Sequence, residues 1–242
     1  RKIAENVAKS GVNMLVEKPL AHNSKDAQFI VDIARTNGVT LTVGHVERHN
    51  PVVSYAKKAI SSGKWGEVIT LSSRRVSSFP ERIHDVGVLF DLSIHDIDIS
   101  NYLANSKVSS VFASGGQMKA KHEDHVNIIM EHESGIISIC ETNWLTPMKI
   151  RKLGITTSDY FVELDYQNQS IDLFTSKYKK VDKKNLYSTN FEVESKSIPI
   201  SKAEPLQIEL IDFLTSVEKQ EKPLVSGLEG LGPTLDVIGF TK

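Results

Sequence analysis

The stretch DLSIHDID, residues 91–98, carries the side chains best suited to move a proton. If residues 87–104 form one helix, Asp91, His95 and Asp98 stand at i, i+4 and i+7 and share a face. A carboxylate one turn before an imidazole fixes its tautomer and stabilises its protonated form, which is what a general base near neutral pH requires. The same spacing also fits an Asp–His pair on a solvated helix face. A metal site built from the three residues is a third possibility, but one helix face cannot enclose an ion, and no metal is expected.

The second candidate is Lys18 in VEKPL (16–20), directly after the apolar run VNMLV. A lone lysine at a strand end is compatible with plain solvation. Ligands of open parallel sheets, however, gather beyond the carboxyl ends of the strands, where Lys18 would stand. Pro19 fixes the turn, a cis Lys18–Pro19 bond would aim the ammonium, and Glu17 is placed to hold its charge. The segment KHEDH (121–125) looks metal-like, but it lies between strands and lacks a helical HExxH pattern, so a polar turn is expected.

The elements that must position these groups follow from periodicity. Residues 1–50 alternate helix and strand: a helix over 2–10, a strand over 13–17, a helix capped by Ser24, and a strand over 39–44. Both strands are nearly continuous apolar runs, the pattern of a parallel sheet covered on both faces. This predicts the C-terminal part of a doubly wound, Rossmann-type sheet. Pro51 opens the next helix and Gly63 ends it. From residue 66 the pattern turns to strands and hairpins, the clearest pivoting on Gly135 in VNIIMEHESGIISICETNW. Residues 51–242 are therefore expected to form an α+β domain with a large, mostly antiparallel open sheet and a helix on one face. A further helix is expected over 205–220, and KKVDKKN reads as a solvated loop. The first residues look like the body of a helix without its cap, and the last stop inside an apolar segment, which suggests a fragment.

The net charge of −1 gives no electrostatic reason to bind nucleic acid or an acidic membrane. No apolar run approaches the ~18 residues that span a bilayer. The single Cys140 allows no internal disulfide and is expected to be buried and inert, which suits the cytoplasm. Trp65 and Trp144 are expected to pack or to lie at an interface.

GVNMLVEKPLA, GHVERHNP and DVGVLFDLSIHDID, in this order and spacing, closely resemble the oxidoreductases of the glucose–fructose oxidoreductase, inositol dehydrogenase and MocA family. The likeness covers essentially the whole chain, including PLVSG near its end. Within the family, GHVERHNP and SSRRVSSFPERIHDVGV look most like enzymes that oxidise the 3-hydroxyl of UDP-N-acetylglucosamine. The resemblance implies a Rossmann domain, a second domain whose sheet makes homodimer or homotetramer contacts, and a bound NAD, with NADP also open. Carried over, Lys18 is the lysine of the EKP motif, and Asp91 and His95 are the pair on the helix. Glu17 and Lys18 should lie near the nicotinamide ribose, with Arg48 and Asn50 near cofactor or substrate. His49 replaces the more usual phenylalanine. The glycine-rich phosphate turn is absent, and SGLEGLGP (226–233) has the wrong order to replace it.

The resemblance implies removal of a proton and a hydride from a sugar hydroxyl. His95 is assigned as general base, Asp91 as its orienter, and Lys18 as the cation that positions substrate and stabilises developing alkoxide. Arg74, Arg75 and Arg82 precede the helix, and arginine forks suit a diphosphate, so with Lys18 and His95 they complete the expected substrate set. His45 and His84 are weaker candidates for the same cleft. Other outcomes open on sequence are a dehydrogenase of a free sugar or polyol such as myo-inositol, and a non-catalytic, cofactor-binding regulatory relative.

Overall fold

A computed structural model describes residues 1–80, 86–178 and 191–240. Arg82, His84 and the segment KKVDKKN (179–185) lie outside the described residues. The first unit contains α1 (Lys2–Lys9), β1 (Met14–Glu17), α2 (Ser24–Thr36) and β2 (Leu41–Gly44). β1 and β2 pair in parallel, with Met14 opposite Leu41 and Glu17 opposite Gly44. Helix α2 is capped one residue earlier than expected: Asn23, not Ser24, is the N-cap, and its Oδ1 accepts from the Asp26 backbone N–H at 2.8 Å. Ala27, Ile30, Val31 and Ala34 then form the buried stripe, as their spacing predicts.

A 3₁₀ turn (Val46–His49) leads into α3 (Pro51–Ser61), capped by the Asn50 side chain and carrying proline in its first turn. β3 (Val68–Ser78) enters an eight-stranded sheet with β4 (Val108–Gly116), β5 (His125–His132), β6 (Ile137–Asn143), β7 (Leu145–Thr157), β8 (Phe161–Asp165), β9 (Ser170–Tyr178) and β10 (Phe191–Ile198). Its order is β10-β9-β8-β7-β3-β6-β5-β4, and only the β3–β6 pair is parallel. Gly135 turns the β5–β6 hairpin at φ 85°, a conformation that glycine adopts without steric penalty.

One sheet face is covered by α3 and by α4 (Ile94–Ala104). Val52, Val53, Ala56, Ile99 and Leu103 pack there against Leu71, Leu153, Ile155 and Leu164. The opposite face is open. Across it run Phe112, Ile129 and Ile139, paired strand to strand and partly exposed. Trp65 and Trp144 are both buried, the latter edge-on to Phe79 at 5.6 Å, and so serve as packing residues.

Helix α5 (Pro205–Lys219) lies beside the 3₁₀ turn, and α6 (Gly227–Phe240) returns to the first unit. Val225 and Leu231 complete the core around Ala27, Ile30 and Val43. The contact is close because Gly230 has no side chain: a Cβ there would stand 2.4 Å from Val43 Cβ. A further tie runs from Leu20 N–H to Thr234 Oγ1 at 3.3 Å, which fastens the turn after Lys18 to α6.

Candidate active site

β1 ends at Glu17, and the chain turns through a cis Lys18–Pro19 peptide. The Lys18 side chain is only 14% exposed. Its Nζ donates to the main-chain carbonyl of Asp91 at 2.6 Å and lies 3.4 Å from Asp91 Oδ1. Burial lowers the ammonium from its ordinary pKa, and the Asp91 carboxylate opposes that shift. Two strongly separated segments, residues 16–20 and 91–98, thus converge at the sheet's carboxyl end.

The segment expected as one helix is two. Leu89–Ser93 forms a π turn, and α4 begins at Ile94. Such a widened turn leaves carbonyls free for outside donors and changes the phase of the residues around it. The expectation that Asp91 orients His95 therefore needs correction. Among the described residues no hydrogen bond joins them, and the Asp91 carboxylate serves Lys18 instead.

His95 is partly buried, and its Nδ1 is enclosed without a hydrogen-bond partner. Burial pushes its pKa well below the usual histidine value, and the nearby charges of Arg75, Lys18, His45 and Arg151 push the same way. Both effects favour the neutral imidazole. His45, at the end of β2, is buried with Nδ1 3.7 Å from Asp98 Oδ2.

Asp98 shares the α4 face but has another partner. Arg48 grips it through Nε at 2.9 Å and Nη2 at 2.6 Å, and also reaches Glu229 at 3.3 Å. Asn50 donates to the Tyr166 carbonyl at 3.1 Å and caps α3. Both residues are thus held by protein groups, an arrangement that orders the β2–α3 corner.

The arginines separate in the same way. Arg75 is 2% exposed and forks onto Asp96 at 3.0–3.1 Å while reaching Glu47 at 2.9 Å. It is a buried strut, since Leu71, Ser73 and Arg75 are the residues that β3 buries toward α4. Arg74 points to the open face, half exposed, and pairs with Glu141 at 2.9 Å. The alternation puts Arg74 and Arg75 on opposite faces of the sheet, so the two cannot grip one diphosphate together. Arg82 lies outside the described residues.

Two β7 residues that sequence reasoning missed add positive charge near the site: Arg151, which acts on His95, and Lys149, which lies near Arg151 and Arg75. Arg151 stands opposite Arg75 in the β3–β7 register and is one-third exposed. Lys149 lies two residues earlier and is exposed. No local pattern marks either one, because only strand register brings them to the site.

The residues at the strand ends fit the nicotinamide end of a dinucleotide. Glu17 is exposed at the end of β1, and a Cβ at Gly44 would lie 3.0 Å from its Oε2, so glycine leaves that carboxylate its space. A carboxylate suits ribose hydroxyls, and Lys18 beside it suits an oxygen. KHEDH is the expected polar turn: Asp124 Oδ2 accepts from the backbone N–H groups of Met118, Lys119 and Ala120. Among the described residues no group of His, Cys, Asp and Glu could hold a metal. Cys140 is buried, which raises its thiol to about 12.

Residues 1–45 match the model of an oxidoreductase family with an NAD-binding Rossmann fold, and residues 53–159 that of the GFO/IDH/MocA C-terminal domain. Over 228 residues the chain is 23% identical to UDP-N-acetylglucosamine 3-dehydrogenase of Acidithiobacillus ferrooxidans, covering 94% of this chain and 70% of that protein. It is 31% identical over 112 residues to scyllo-inositol 2-dehydrogenase (NAD(+)) of Bacillus subtilis, covering 45% and 33% respectively. The solved structure of the Acidithiobacillus enzyme superposes with a TM-score of 0.86 at 22% identity, over 98% of this chain and 73% of that one. An oxidoreductase from Agrobacterium radiobacter in complex with NAD+, L-tartaric acid and magnesium gives 0.79 at 18% identity, over 98% and 72%.

Proposed function

This chain belongs to the Gfo/Idh/MocA oxidoreductase family, and from that premise we propose that it forms the reaction centre of an NAD-dependent dehydrogenase oxidising a secondary hydroxyl of a sugar. The supporting observation is the meeting of Lys18 Nζ with Asp91 at the end of β1, one turn from His95.

Alcohol oxidation removes a proton from oxygen and a hydride from carbon. Bound nicotinamide supplies the acceptor for the hydride. Lys18 Nζ donates to the reacting oxygen, fixes its position and stabilises the negative charge that grows there. Asp91 keeps that ammonium aimed and charged despite its burial. His95 is neutral and takes the proton at Nε2, the ring nitrogen that is not enclosed. Glu17 orders the ribose, while Arg48 and Asn50 hold the corner from which His45 projects.

The finer substrate we propose is UDP-N-acetylglucosamine, oxidised at its 3-hydroxyl. Support comes from the relative of that name, which matches over 94% of this chain. A second reading, a free polyol, is favoured by the 31% identity to the inositol enzyme over the shorter stretch. We place the protein in the cytoplasm, where a lone buried thiol is at home.

The deciding experiment gives the protein that carries this chain NAD+ and, in turn, UDP-N-acetylglucosamine, UDP-glucose and myo-inositol. NADH should form fastest with the first, and His95→Ala should lower turnover by ~10²–10⁴. No NADH with any of the three, or undiminished turnover in the variant, contradicts the proposal.

A further inference from the structure

The β3–β7 register sets Arg75 and Arg151 directly opposite each other on the face toward α4. Like charges so placed destabilise a sheet unless a counter-charge joins them. Among the described residues the carboxylate between them is Glu47, and Arg75 holds it at 2.9 Å while Arg151 reaches it only at 4.0 Å. Asp96, Asp98 and Asp91 are committed to Arg75, Arg48 and Lys18. Lys149 has no ion pair among the described residues and adds a further cation on the same face. Arg75 Nη2 is buried without a partner, in a side chain only 2% exposed. Among the described residues, Arg151 thus has only a distant share of Glu47, which Arg75 already holds, and Arg75, Lys18 and Arg151 all act on His95.

We propose that Lys149 and Arg151, backed by Arg75, form an anion subsite beside His95, so that the sugar oxidised here carries an acidic group near its reacting hydroxyl. The shared chemistry is a cluster of anionic oxygens, either the diphosphate of a nucleotide sugar or the carboxylate of a sugar acid. Arg151 supplies a planar fork for either, and Lys149 a mobile point charge. The subsite rests on the reading of His95 as the reaction centre, and it gives the surrounding cations a further task. Burial is the larger cause of the lowered His95 pKa; a docked anion offsets the part that the neighbouring cations add, and so raises the basicity of the group that must deprotonate the substrate.

Titration calorimetry tests this apart from catalysis. Glucose, glucuronate and UDP are titrated in turn into the protein carrying this chain, and into Arg151→Gln, Lys149→Gln and the double variant. Both side chains are solvent-accessible, so the variants should fold, which a thermal melt verifies. UDP or glucuronate should bind wild type more tightly than glucose does, and the double variant should bind it at least ~10-fold more weakly, as loss of charged hydrogen bonds implies. Loss confined to UDP identifies a nucleotide sugar, and loss confined to glucuronate a sugar acid. Equal affinity of wild type and double variant for both anions, or no preference over glucose, overturns the subsite. Failure of the dehydrogenase reading registers separately, as absence of NADH from every sugar while anion binding still falls in the variants.

Discussion

On β3, Arg75 enters the face packed by α4 while Arg74 leaves on the open face, because successive strand residues alternate. Removing one partner of a buried ion pair leaves an uncompensated charge, so Arg75→Gln should destabilise by ~3–5 kcal/mol. Arg74→Gln breaks an exposed pair and should change stability by less than ~1 kcal/mol. Denaturant midpoints measure both, and equal effects would contradict the alternation. The motif residues Glu17 and Lys18 were legible because strand, turn and proline are neighbours in sequence. Lys149 and Arg151 were not, because nothing within β7 records which strand lies beside it. Asp91 was half legible: it is at the site, but Lys18, 73 residues away, takes the carboxylate that spacing assigned to His95.

At the scale of elements, the helices and hairpins fell close to their expected ranges, because period and capping are local properties. The π turn at Leu89–Ser93 was invisible, since its sequence also suits an ordinary helix. Helix α5 hides another feature that only packing reveals. Glu209 is fully buried with both carboxylate oxygens unpartnered, and burial, assisted by Glu17 and Asp212, raises its pKa to about 7. From pH 4.5 up to about 7 the folded chain therefore binds a proton that the unfolded chain has released. Stability from this group is present below that window and is lost as pH rises through it. Glu209→Gln should raise Tm at pH 8 and flatten the fall in Tm between pH 5 and pH 8. A variant whose Tm falls as steeply as wild type would contradict this assignment.

At the scale of the whole molecule, the site exists because both ends of the chain meet. Gly230 lets α6 sit on β2, and Thr234 ties α6 to the turn that carries Lys18. The parallel pair and the open antiparallel sheet were legible from continuous and alternating apolar runs, whereas the return of α6 required tertiary contacts that no periodicity encodes. The exposed row of Phe112, Ile129 and Ile139 is the surface through which we propose a homodimer or homotetramer. Light scattering should give a multiple of the chain mass that Phe112→Lys with Ile129→Lys reduces to one copy, and a monomeric wild type would exclude assembly through this face. The most direct measurement is a crystal structure of the protein carrying this chain with NAD+ and its sugar. Lys18 Nζ and His95 Nε2 should both lie about 3 Å from one substrate hydroxyl oxygen, the range that proton transfer requires. A sugar bound with that oxygen beyond the reach of either group would contradict the account.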